Sequence, residues 1–80
     1  MEELRAAANR AVGTKAVLRA LASKEAARVY VASDIDTFLY QKVTRACAEA
    51  AVPVIKVESN KELGKVCGLQ IGCAAAAVLK

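Results

Sequence analysis

Apolar positions along the 80-residue chain change their spacing several times, and each change marks an element. Glu2 to Arg10 reads as a short helix, with acidic residues in its first turn and Leu4, Ala8 and Ala11 at helical spacing. Ala11-Val12 is expected as a brief strand before Gly13. A tight turn at Gly13 then delivers Thr14 as an N-cap, whose hydroxyl would satisfy the first orphan amides of a helix running to about Ser23. At roughly 100° per residue, Val17, Leu18 and Leu21 share one stripe of that helix, and Lys15 and Arg19 share another.

Beyond the polar connector Lys24-Glu25, Arg28 to Ala32 is a β-rich run of strand length. Ser33-Asp34-Ile35-Asp36 gathers capping residues ahead of Leu39, Val43, Ala46, Cys47 and Ala50. Those five fall on one face of a helix that Pro53 is expected to end. Val54 to Val57 is a second strand. Ser59-Asn60-Lys61-Glu62 is a capping box opening a short helix that stops near Val66 or Cys67, with Gly68 placed to take the left-handed C′ position. Leu69-Gln70-Ile71-Gly72 reads as a loop. Cys73 to Lys80 is open to two readings: its four alanines favour helix, whereas its place after a loop and its Val78-Leu79 end suit a buried strand. We take it as a strand. The alternation predicts an α/β fold of one domain over residues 1–80, with a small, partly parallel sheet carrying helices on both faces.

Charge and composition narrow the function classes. A formal charge of +4 favours nucleic acid over a neutral ligand without identifying it. Cys47, Cys67 and Cys73 are odd in number, form no CxxC pair and have no histidine to join them, so a four-ligand zinc site cannot be assembled from thiolates and imidazoles in one chain. Free, partly buried thiols in a reducing cytosol are the expectation. The N-terminus lacks a basic-then-apolar signal pattern, and the apolar run Cys73 to Leu79 is far short of the roughly 20 residues that cross a bilayer. A soluble cytoplasmic protein without cofactor, metal or membrane partner is expected.

Catalytic patterns are weak. Without histidine, acid-base work falls to carboxylates, lysines or a perturbed cysteine. Asp34 and Asp36 sit where capping requires them, and Cys67 has no base partner at hand. Gly13-Thr14-Lys15 is no phosphate-binding loop, because Ala8 stands where the earlier glycine belongs and Thr14 precedes Lys15 instead of following it. Binding is better supported. Two features point to it: the cationic opening of the Thr14 helix, set at the positive end of a helix dipole, and the apolar side chains of the Leu69 to Gly72 loop. Few aromatics argue against a base-stacking sheet.

Four blocks in order, Gly13-Thr14-Lys15-Ala16-Val17-Leu18-Arg19-Ala20, Val31-Ala32-Ser33-Asp34-Ile35-Asp36, Val52-Pro53-Val54 and Ser59-Asn60-Lys61-Glu62-Leu63-Gly64-Lys65-Val66-Cys67-Gly68, resemble the ribosomal L7Ae/L30e family, and above all its short bacterial members. The resemblance spans about residues 10–80. It implies a three-layer α/β/α sandwich and binding to the kink-turn, an RNA bend with a short bulge beside tandem sheared G·A pairs. By position, Gly13, Thr14, Lys15, Ala16 and Arg19 match the family's first RNA-contact motif. Asp36, Asn60 and Lys61 match positions flanking the bulge. Leu69, Gln70, Ile71 and Gly72 match the loop that covers the flipped-out nucleotide, where an apolar surface would replace lost stacking. Archaeal and eukaryotic members usually carry Asn-Glu where this chain has Lys15-Ala16; lysine can donate to guanine O6 and N7 instead.

The resulting expectation is a non-enzymatic, monomeric RNA-binding protein that stabilises bent RNA, either on the ribosome or on an mRNA leader. The competing expectation, from a different class, is a protein-interaction module on the same fold.

Overall fold

Strand residues alternate cleanly between two cores. In the computed structural model, which describes residues 9–68 and 72–80, the elements are β1 (Arg10–Val12), α1 (Thr14–Ala22), β2 (Ala26–Ala32), α2 (Thr37–Glu49), β3 (Val54–Val57), α3 (Asn60–Val66) and β4 (Ala75–Leu79). The strands form one mixed sheet in the order β1-β4-β2-β3, with β2 and β3 parallel and β4 antiparallel to both its neighbours. Val29 and Val31 of β2 and Ala75 and Ala77 of β4 face one side, where Val17, Ala20 and Leu21 of α1 and Val43 and Cys47 of α2 cover them. Tyr30, Ala32, Ala76 and Val78 face the other, under Leu63 and Val66 of α3. This is the expected α/β/α sandwich, and Cys73 to Lys80 is resolved in favour of strand. Burial on both faces outweighs alanine's helix propensity there, since Ala75, Ala76 and Ala77 are all fully buried.

Three local expectations are corrected. Glu2 to Arg10 was expected as a helix; residues 1–8 lie outside the described residues, but Arg10 is strand. Its backbone pairs with Val78, and the Asn9 carbonyl accepts the Leu79 N–H at 3.1 Å, so the sheet claims this segment. The Arg10 guanidinium also donates to the Val66 and Cys67 carbonyls at 3.4 and 3.3 Å, capping the end of α3.

Thr14 is not the N-cap of α1; Gly13 is. Gly13 has φ 97° and ψ 152°, a conformation essentially confined to glycine. Its N–H donates to the Ala75 carbonyl at 2.9 Å and its carbonyl accepts the Val17 N–H at 3.0 Å, so pairing with β4 fixes the last non-helical residue one position earlier.

Pro53 does not end α2 either. The helix stops at Glu49, with the N–H groups of Ala51 and Val52 donating back to the carbonyls of Ala48 and Cys47 at 3.2 and 2.9 Å. Ala51 sits at φ 56° in this Schellman arrangement, a left-handed position usually given to glycine. Lys24 ends α1 in the same way at φ 61°, its N–H and that of Glu25 returning to Leu21 and Ala20. Gly68, at φ 77°, takes the expected position after α3.

All three cysteines are free and buried. Burial pushes the Cys47 and Cys67 thiols above the ordinary thiol range, with Cys73 beside Cys67 adding to the effect there, so both stay protonated and unreactive near neutral pH.

Candidate nucleic-acid interface

Backbone hydrogen bonds gather four separate segments at one end of the sheet. Gly13, after β1, donates to Ala75 at 2.9 Å; Ala32, ending β2, donates to Ala74 at 2.9 Å; Ser33 donates to Val57, ending β3, at 2.7 Å; and Cys73 donates to Asn60, opening α3, at 2.9 Å. The first turn of α1, the β2–α2 turn, the first turn of α3 and Gly72 are therefore neighbours, although the sequence scatters them from 13 to 72.

At the α1 side, Gly13 supplies no side-chain oxygen to the first amides of the helix, which leaves them to water or an anion. No acidic residue sits in this first turn to compete. Thr14 and Ala16 are half-buried there, while Lys15 and Arg19 are exposed one turn apart. Arg19 lies on the β1 side of the helix, beside a shallow cleft shared with Arg10, Ala16 and Ser23. Lys15 sits at the helix opening, whereas Arg19 falls in the last turn of this nine-residue helix, so the opening carries one cation and not the expected two; glycine instead of threonine at the cap leaves that opening less satisfied internally.

At the α3 side, the Ser59 hydroxyl accepts the N–H groups of Lys61 and Glu62 at 3.2 and 3.5 Å, as a capping serine should. Asn60 is held from two directions. One Asp34 carboxylate oxygen accepts both its backbone N–H, at 2.9 Å, and its side-chain Nδ2, at 3.2 Å. Gly72 packs against the same amide so closely that a Cβ there would collide with Asn60 Oδ1 and lie 2.9 Å from Cγ. Lys61 is exposed beside it. Leu69, Gln70 and Ile71 lie outside the described residues.

Asp36 is occupied elsewhere: its Oδ1 accepts the N–H groups of Phe38 and Leu39 at 2.8 and 3.4 Å and caps α2. Asp34, and not Asp36, is what reaches Asn60. A signal was present, since one helix needs one cap and the cluster holds two aspartates. The partner lies 26 residues further on, beyond any local pattern. Asp34→Ala and Gly72→Ala should therefore converge. Each releases or displaces the Asn60 amide, so each is expected to weaken RNA binding roughly tenfold while shifting thermal stability by only about 1 kcal/mol for Asp34→Ala, whose bonds are exposed. Titration of the two variants against one RNA, beside their melting curves, checks this.

Among the described residues there is no group of three or more histidine, cysteine, aspartate or glutamate side chains that could hold a metal ion, and no helix long and apolar enough to cross a membrane.

Comparison with known proteins agrees with this architecture. An RNA-binding protein of Geobacillus kaustophilus is 52% identical over 69 residues, covering 86% of this chain and 84% of that protein. The RNA-binding protein YbxF of Geobacillus stearothermophilus matches at the same identity and the same coverage. A further RNA-binding protein, from Geobacillus sp. strain WCH70, is 46% identical over 79 residues, covering 99% of this chain and 96% of its own. Among solved structures, the Giardia lamblia 15.5kD RNA binding protein superposes with a TM-score of 0.83 at 24% identity, over 89% of this chain and 60% of that one, which establishes likeness of fold. The chain matches the Ribosomal protein L7Ae/L30e/S12e/Gadd45 family along residues 1–80, and it belongs to that family.

Proposed function

We propose that this protein binds kink-turn RNA as a monomer and stabilises its bent form, without catalysing a reaction. The observation that carries the reading is the meeting of the α1 opening, with Lys15, and the Asp34-braced Asn60 against Gly72 at one end of the sheet, with Arg19 one turn further along α1. The names of the Geobacillus relatives support the RNA part of it.

The physics favours a distorted duplex over a regular one. A-form RNA hides its base edges in a deep, narrow major groove, which a helix terminus enters only where the duplex is bent open. There Lys15 donates to guanine O6 or N7, Arg19 holds backbone phosphate, and the uncapped amides of α1 add dipolar attraction. Asn60 and Lys61 flank the bulge. Leu69, Gln70 and Ile71, by their place in the sequence before Gly72, cover the extruded base. Binding only the kinked conformer shifts the population toward it. An RNA of the ribosome or an mRNA leader carrying such a bend is the natural substrate class.

A gel shift comparing a kink-turn with the same RNA carrying G·C in place of both G·A pairs tests the reading. The kink-turn is expected to bind at least tenfold more tightly. Equal affinity would reduce the function to basic, non-specific association.

A further inference from the structure

Phe38 is 76% exposed in the first turn of α2, whereas the other large apolar side chains among the described residues are mostly covered. It does not stand alone. With Leu18 of α1 and Ala46 it forms the apolar floor of a groove of about 360 Å³ between the two helices, and Lys42 and Arg45 rise along the same wall. Lys42 and Arg45 outnumber the one carboxylate in the lining, Glu49, at the far end of α2, while the Asp36 carboxylate beside Phe38 is tied to backbone N–H groups outside the lining. Asp36, whose Oδ1 fixes the Phe38 N–H, lies two residues after the Asp34 that braces Asn60, so the groove begins where the interface described above ends.

We infer that this groove takes a single-stranded RNA segment flanking the bend, one base stacking on Phe38 and the adjoining phosphates held by Lys42 and Arg45. The inference rests on the RNA reading above and extends its footprint. An aromatic ring with cations about one turn and two turns further along its helix is the pattern by which proteins hold unpaired nucleotides without regard to sequence. Every base presents a π face, and the backbone supplies one negative charge per step. A protein partner would need a far larger apolar area than Phe38, Leu18 and Ala46 provide.

The experiment measures affinity for a minimal kink-turn and for the same kink-turn with an unpaired adenosine tail of about six nucleotides, placed on each strand end in turn. The wild-type chain is expected to bind one tailed RNA roughly tenfold more tightly than the tailless one, and Phe38→Ala to abolish that gain while leaving the tailless affinity unchanged. Lys42→Ala with Arg45→Ala should remove the same gain and flatten its salt dependence. Phe38, Lys42 and Arg45 are all exposed, so these variants fold. A tail that adds nothing on either end, or a gain that survives Phe38→Ala, overturns the inference. So does a concentration-dependent dimer in the absence of RNA that Phe38→Ala dissolves, since a second copy would then occupy the groove. Failure of the wild-type chain on the tailless kink-turn instead sinks the function proposed above, and the Phe38-dependent gain from the tail still decides this inference by itself.

Discussion

Replacing Lys15 and Arg19 together by alanine should lower kink-turn affinity by about 3 kcal/mol, more than a hundredfold, because in the proposed binding mode each side chain makes a charge-assisted contact of about 1.5–3 kcal/mol. The slope of log affinity against log salt should fall by about two, one for each cation that no longer displaces a counterion from the RNA. Both side chains are exposed on α1, so the melting temperature should stay within a few degrees of wild type. Filter binding at two salt concentrations, with a melting curve on the same preparation, separates loss of contacts from loss of fold. If the double variant binds as wild type does, the α1 opening is not the RNA surface.

The largest effect on stability is expected at Leu63. It is the largest of the fully buried side chains among the described residues, and it anchors α3 to the sheet among Tyr30, Val57, Val66 and Cys73. Its larger neighbours Tyr30, Val57 and Val78 are fixed in the sheet, and the rest of that face is Ala32 and Ala76, so a void there would be filled poorly. Leu63→Ala should therefore cost about 3–4 kcal/mol, near the upper part of the range for such truncations. An 80-residue domain has roughly 4–12 kcal/mol in total, at about 0.05–0.15 kcal/mol per residue. The urea midpoint would show the loss directly. Leu63→Met, which keeps the volume, should lose less than about 1.5 kcal/mol. Because α3 carries Asn60 and Lys61, residual RNA binding by the alanine variant should track the folded fraction.

Elements with a strong period were legible in the sequence. The Val29 to Ala32 alternation, the α2 face built on Val43 and Cys47, and the Ser59 cap all rest on interactions within one segment, which a local pattern records. What the sequence left out is long-range pairing. Gly13 rather than Thr14 caps α1 because Ala75 holds its N–H, and Arg10 is extended because Val78 pairs with it. The α2 terminus shows a further kind of miss. Its stop depends on Ala51 adopting a left-handed conformation that its side chain does not advertise, whereas Pro53 announced itself and plays no part in the termination. On the site, Asn60 and Gly72 were placed through resemblance, but the carboxylate that braces Asn60 became visible only in three dimensions.

β4 runs between β1 and β2 yet comes last of the strands in the sequence. During synthesis β1 emerges with no partner, and it gains one only after Val78 has left the exit tunnel. The opening of α1 waits on the same strand, since Gly13 is tied to Ala75, whereas Asn60 is tied to Cys73, which emerges before β4. A nascent chain stopped at Ala74 therefore lacks the strand that joins β1 to β2 and the carbonyl that holds Gly13. The sheet closes, and the α1 opening gains its anchor, in one late step.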